Sequence, residues 1–405
     1  MGFHHGLSGL NAASKSLDVS GHNIANSNTI GFKKSRAEFN EMVASAMGSG
    51  QCPGSAGAGI GVSVAAVTQQ FSQGVITPTA NGLDMAINGD GFFVVNTPSG
   101  TAYTRNGAFQ LDKNGYLVTA NGDKVQGWPD ANATGGQPMD LQFPTGAGIP
   151  GRQTTGLSIQ AANLPATAPD ATSVTPNTPR HTYGTSLQVY DSQGVAIPVE
   201  VYFVKNGSNT WDVYDTLDPA VTTPVGQVTF DGEGKFVSST VTGLNVDPSA
   251  ANPNNPPAPF NVTLDLSGMT QNDRKWSVDK MTQDGYASGE LTGVNVSKDG
   301  TLMASYSNGL TRPEGKVALA RFTNPQGLAP NGNNNWVQTN DSGPVLYGSA
   351  GSGSFGQIKG AALEESNVDL TAELVGMMTA QRSYQANAQT IKTQDQVFST
   401  LVNLR

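Results

Sequence analysis

The sequence predicts a multidomain, mainly β protein whose N- and C-terminal ends are paired α-helices, with discontinuous domains nested between them. Three observations carry that prediction. Each end of the chain holds an apolar stripe at alternating steps of four and three residues. Between the ends, Asn-Gly or Asp-Gly pairs recur at 81, 88, 90, 106, 114, 121, 206, 231, 284, 299, 308 and 331, marking hairpin turns between extended segments. A block from about 146 to 284 has Pro-rich stretches near its edges, at 165–179 and 248–259, as an inserted domain would.

The first element is a helix over residues 3–27, with a seam at Phe3, Leu7, Leu10, Ser14, Leu17, Gly21 and Ile24. Small residues at 14 and 21 let a partner approach closely. The helix should end at Asn26-Ser27-Asn28, with Gly31 marking the turn. Residues 29–74 give a mixed signal, with a helix-like run at 35–46 and a Gly/Ser-rich segment at 48–61.

Beyond Gly74 the pattern turns extended. Leu83, Met85 and Ile87 alternate with polar residues, and Asn88-Gly89-Asp90-Gly91 turns the chain into Phe92-Phe93-Val94-Val95. Phe109 and Leu111 should pair with Tyr116 and Val118 across Lys113-Asn114-Gly115. Inside the 146–284 block, Val199, Val201 and Phe203 alternate, as do Val262, Leu264 and Leu266, which predicts a separate antiparallel β domain. After Gly285 the extended pattern resumes through Phe322, and a Gly-rich link at 348–356 leads to the last element.

That element is a helix over 368–404, roughly 55 Å long at ~1.5 Å per residue. Its seam is Leu370, Leu374, Met377, Gln381, Tyr384, Ala388, Ile391, Asp395, Phe398 and Val402. Ser366 and Asp369 have the spacing of a capping box. Glu364 and Glu365 precede the helix, where negative charge suits the macrodipole. With Gln381 and Asp395 interrupting the seam, a lone helix of this length does not bury enough to offset the ordering of its backbone. It needs partners, and its seam points to the N-terminal helix and to copies of both helices.

Composition excludes several functions. Only 13% of the 405 residues are charged, against the usual ~25%, and the net charge of −9 leaves no basic stripe for nucleic acid. Apolar runs are too short for a membrane helix. The single cysteine, Cys52, cannot form an intrachain disulfide. No basic, apolar leader precedes Lys15, which argues against a cleaved signal peptide. The G-x-G-x-x-G at 146–151 has Pro150 where a helix should open, so it is no dinucleotide site. Four histidines at 4, 5, 22 and 181 lack metal-ligand spacing. No catalytic residue, metal or cofactor is expected.

The segment Ala25-Asn26-Ser27-Asn28-Thr29-Ile30-Gly31-Phe32-Lys33 resembles the N-terminal signature of bacterial flagellar axial proteins, the rod and hook family. Glu365-Ser366-Asn367-Val368-Asp369-Leu370, continuing through Ala380-Gln381-Arg382-Ser383-Tyr384-Gln385-Ala386-Asn387-Ala388-Gln389-Thr390-Ile391, resembles its C-terminal counterpart. Asn88-Gly89-Asp90-Gly91-Phe92-Phe93, Tyr103-Thr104-Arg105-Asn106-Gly107 and Tyr306-Ser307-Asn308-Gly309 are similar to the hook group within that family.

The resemblance implies a homopolymer of many copies forming a curved tube, a universal joint between rotary motor and filament with a central export channel. It implies contacts with the flagellar rod, hook cap, hook–filament junction proteins and type III export apparatus. The place is extracellular, and no cleaved signal is needed. Gln385, Gln389 and Gln396 are then candidates to face the channel. The domain expectation is 1–30 with 366–405 as the helical coiled coil, 31–75 with 349–365 as a connecting region, 76–145 with 285–348 as an inner β domain, and 146–284 as an outer one. A distal rod or hook-associated junction protein is the nearest alternative. An extracellular carbohydrate-active β protein is a further one, and it would need a cleft with paired carboxylates.

Overall fold

The structure, a computed structural model, describes residues 2–43, 59–132, 136–143, 148–171, 183–218, 221, 223–254 and 256–403. Cys52 and His181 lie outside the described residues. The chain is mainly β with a helix at each end, and it divides into two compact units: 1–145 with 293–305 and 311–405, and 146–292 with 306–310.

In the first unit, helix α1 (Gly2–Ala25) and helix α2 (Leu370–Asn403) pack against one another. A β-hairpin of β1 (Ser35–Val43) and β2 (Gly59–Gln69) flanks α1. This corrects the helix-like run expected at 35–46 over residues 35–43; residues 44–46 lie outside the described residues. Local spacing was ambiguous there, and pairing with Val-rich β2 decided the conformation: Ala37 lies opposite Val67 and Phe39 opposite Val64.

The body of this unit is a 12-stranded sheet. Its central strand, Thr311–Arg321, pairs with Thr301–Tyr306, Phe92–Thr97, Lys124–Trp128 and Leu346–Ser349. Phe92, Tyr103, Phe322 and Trp336 form its aromatic core with edge-on ring contacts. Met85–Asn88 pairs instead with Gln357–Gly360, so Asn88–Gly91 carries the chain between sheets rather than closing a hairpin.

The expected hairpin at 109–118 forms, in a different register. Leu111 faces Leu117 and Phe109 faces Thr119. The reason is the turn. Asp112 Oδ1 accepts from the amides of Asn114 (2.9 Å) and Tyr116 (2.7 Å), and Gly115 takes φ +83°. This is a type I turn followed by a left-handed glycine, which uses one more residue than a two-residue turn. The same turn recurs at Asp191–Val195 and Asp231–Lys235, where each aspartate again accepts from the amides two and four residues on.

The second unit contains two five-stranded sheets. One is an antiparallel meander from Tyr183–Tyr190 to Phe236–Ser239. The other corrects the expectation of a purely antiparallel domain: Gly156–Pro165 runs parallel to Phe260–Asp265 and Met269–Asn272, and antiparallel to Ser277–Gln283. The long excursion through residues 166–259 lets the chain return in the same direction. Leu157, Ile159, Phe203, Trp211, Val213, Val262 and Leu264 fill the core, and the Trp211 indole N–H donates to Gln271 Oε1 at 3.1 Å.

Candidate assembly interface

The two helices run antiparallel. A Cβ added at Gly6 would lie 2.8 Å from Ile391 Cγ1, and one at Gly9 would lie 2.7 Å from the Asn387 carboxamide. Small residues here let the helices approach closely. On α1 the buried positions are Gly6, Ala13, Ser20 and Asn23, while Leu10, Leu17 and Ile24 are half-buried. On α2, Ala380 is buried and Glu373, Met377, Asn387, Ala388, Ile391 and Gln394 are half-buried.

The contact face within the chain is therefore offset by about one position from much of the apolar seam. Leu7 is 43% exposed, Leu370 44%, Leu374 50% and Tyr384 38%. Geometry accounts for this. A strict seven-residue repeat drifts ~20° per heptad on a straight helix, so the seam begins facing away at Leu370 and reaches α1 by Ile391. The interruptions Gln381 and Asp395 are both exposed. Gln385, Gln389 and Gln396 are exposed on the side of α2 away from α1. The side chains of Phe3, Phe398 and Val402 lie outside the described residues.

A groove of about 430 Å³ runs between the helices and the hairpin, lined by Ala12, Ala13, Phe39, Val62, Gly376 and Ala380 among others. The hairpin is tied to α1 by polar contacts. Asn23, fully buried, donates to the Ser35 carbonyl at 2.8 Å and accepts from the Ser35 amide at 2.9 Å, and Ser8 Oγ accepts from the Val62 amide at 3.3 Å.

Beneath the helices, the signature segments converge. Asn26 donates to the His22 carbonyl at 2.9 Å and accepts from Thr29 Oγ1 at 3.2 Å, closing the end of α1, while Ala25 and Asn28 face solvent. Gly31 takes φ +69°, and a Cβ there would lie 2.5 Å from the Asn106 nitrogen, so only glycine fits. Phe32 is buried against the edge of His22. Asn367 binds three backbone groups on two segments: it accepts from the Lys34 amide at 2.8 Å and donates to the carbonyls of Gln70 (2.7 Å) and Ser72 (3.1 Å).

The start of α2 differs from the expected capping box. The N-cap is Asp369, which accepts from Thr371 (2.9 Å) and Ala372 (3.2 Å) amides. Ser366, buried one turn earlier, accepts only from the Val368 amide at 3.4 Å. The helix begins at Leu370, two residues later than expected: the Asn367 side chain is tied to the base of the hairpin, and its backbone amide donates to the Phe32 carbonyl at 3.5 Å.

Glu364 is also corrected. It is fully buried and serves as a counter-ion for two cations, not simply as a charge suited to the helix end. Its Oε1 accepts from Lys33 Nζ at 2.6 Å and from the Gly74 amide at 2.9 Å, and its Oε2 accepts from Arg105 Nη1 at 3.1 Å. Lys33 also donates to the Ser72 carbonyl, and Arg105 to that of Gly89, with its guanidinium 5.4 Å from the Phe92 ring centre. Burial pushes the Lys33 ammonium and the Arg105 guanidinium below their ordinary pKa values, opposed in both by attraction to Glu364. One carboxylate thus holds the chain after α1, the segment after β2, the sheet body and the segment before α2. The clue was available: Lys33 and Arg105 are rare charges set inside two of the signature segments of a charge-poor chain.

These segments coincide with known family profiles. Residues 3–33 match "Flagella basal body rod protein", 86–174 match "Flagellar hook protein FlgE/F/G D1 domain", 163–286 match "Flagellar basal body protein FlaE D2 domain", and 359–404 match "Flagellar basal body rod FlgEFG protein C-terminal". The chain is 43% identical to the flagellar hook protein FlgE of Escherichia coli, with 100% of both chains covered. It is 32% identical to FlgE of Borreliella burgdorferi over 99% of each. In fold it is similar to the crystal structure of Helicobacter pylori flagellar hook protein FlgE2, with TM-score 0.50 and 16% identity over 71% of this chain and 100% of that one. With identity of this degree running from end to end, the chain belongs to the flagellar hook protein family.

Proposed function

We propose that this chain is a structural subunit that self-assembles into the curved tubular hook, outside the cell, as a flexible joint carrying torque from motor to filament. The observation that carries the proposal is the unpaired apolar stripe. Leu7 on α1, with Leu370, Leu374 and Tyr384 on α2, leaves large side chains in water that neighbouring copies of the same helices would cover. Residues 1–30 and 366–405 would then form the inner helical layer, with Gln385, Gln389 and Gln396 towards a water-filled export channel. Residues 31–75 and 349–365 would connect that layer to an inner β domain, 76–145 with 285–348, and an outer one, 146–284. Leu7, Leu10, Leu17, Ile24, Leu370, Leu374, Met377, Tyr384, Ile391, Phe398 and Val402 would share the seam between intrachain and interchain contacts. Contacts at the ends of the tube would be with the rod, the hook cap and the junction proteins, and delivery would run through the type III export apparatus.

The test is Leu374→Lys. It places a charge on the stripe without touching the β units, so polymerisation should fail while circular dichroism of the β units is unchanged. Normal tubes from this variant, seen by electron microscopy, would refute the interface.

A further inference from the structure

The sequence holds eight Asn-Gly pairs, all among the described residues. In such a pair the glycine amide nitrogen can attack the asparagine Cγ. A bond forms between them, the Cγ–Nδ2 bond breaks, and the proton given up by the glycine nitrogen, relayed by water, leaves on the departing ammonia. Water then opens the five-membered imide at either carbonyl, leaving aspartate or isoaspartate. The reaction needs a free nucleophile, a free side chain and room to close the ring.

Seven pairs lack one of these. The amides of Gly115, Gly122 and Gly309 donate to the carbonyls of Asp112, Thr119 and Tyr306 at 3.0, 2.9 and 3.0 Å. Gly89 donates to Gln73 Oε1 at 3.0 Å. Asn106 accepts from the Ala108 amide, and Gly107 is packed so tightly that a Cβ would sit 1.6 Å from the Met85 carbonyl oxygen. Asn81 donates to Asp84 and accepts from the Leu83 amide. Asn206 is held by the buried carboxylate of Asp212 at 2.8 Å.

The eighth pair is free. Asn331 and Gly332 are both exposed, and nothing lies within 4 Å of a Cβ placed on Gly332. Among the described residues neither the Gly332 amide nor the Asn331 side chain has a hydrogen-bond partner. The turn is also strained: Gly332, Asn333 and Asn334 have φ of +79°, +52° and +58°, three left-handed residues in succession.

We infer that Asn331-Gly332 is the site at which this folded chain deamidates and isomerises. The consequence is local to the signature junction. Asn334 donates to the Ile30 carbonyl at 3.1 Å, Asn335 to Asp123 at 3.1 Å, and Thr104 Oγ1 to the Asn334 carbonyl at 2.9 Å. Isoaspartate at 331 adds a backbone carbon and a charge to the turn that supports the chain leaving α1.

The test is incubation of the full-length protein at mildly alkaline pH, with peptide mapping and isoaspartate-specific methyl labelling, in buffer and in urea. In buffer, position 331 should convert roughly threefold to tenfold faster than 114, 121 or 308, whose attacking amides must first break a hydrogen bond. In urea that ranking should collapse. Asn331→Gln should remove the fast phase. Conversion at another pair as fast as at 331 in the folded chain overturns the inference, as does a lead at 331 that persists unchanged in urea.

Discussion

Glu364→Gln is the most informative single change. The substitution keeps the shape of the side chain and removes its charge, leaving Lys33 and Arg105 buried with no counter-ion where Glu364 now accepts from both at 2.6 and 3.1 Å. Removing one partner from a buried ion cluster costs about 3–5 kcal/mol. That is a large share of the ~5–15 kcal/mol that stabilises a typical domain. Amide exchange of strands Phe92–Thr97 and Thr311–Arg321 during urea titration isolates this unit from the 146–292 unit, and the loss should appear there. The triple variant Glu364→Leu, Lys33→Met, Arg105→Met should recover most of it, because the penalty belongs to the unpaired charges. A loss below about 1 kcal/mol for Glu364→Gln, the size of one ordinary hydrogen bond, would refute the view that this cluster holds the junction.

Three further outcomes are expected. In free monomer, amides at 374–391 should exchange rapidly, since α2 packs on α1 mainly through small and polar residues and Leu370, Leu374 and Tyr384 lack cover; full protection there in a monodisperse sample would contradict this. Gly6→Val drives a branched side chain into Ile391, and overpacking of about 1–3 kcal/mol should raise the critical concentration for assembly by roughly 5- to 160-fold; unchanged assembly would show that the close helix approach is dispensable. The carboxyl of Asp284 is held below its ordinary 3.8: burial opposes this, but hydrogen bonds from Thr155 and Gly156 outweigh it. Its contribution is complete above pH 3.8 and is lost as pH falls through the lower folded value, so Asp284→Asn should destabilise the 146–292 unit at neutral pH and flatten its acid limb.

What was legible in the sequence followed from period and turn chemistry. The two terminal helices and the Asx-Gly turns could be read because a seam of fours and threes, or an adjacent Asn-Gly or Asp-Gly pair, acts within one turn of chain. The strand Ser35–Val43 could not, since its conformation depends on a partner strand that begins at residue 59. The parallel pairing of Gly156–Pro165 with Phe260–Asp265 joins residues about a hundred apart for which no local signal exists.

By itself, then, the sequence determined the family, the helical ends and the turn positions, because each is written in short-range spacing. Tertiary structure decided which face of each seam stays inside the chain. It also decided that Glu364, one member of an acidic pair before a helix, is a buried counter-ion for two cations 331 and 259 residues away. Helix faces rotate with packing distance, which small residues such as Gly6 and Gly9 set. Burial of a charge depends on what the rest of the chain folds over it.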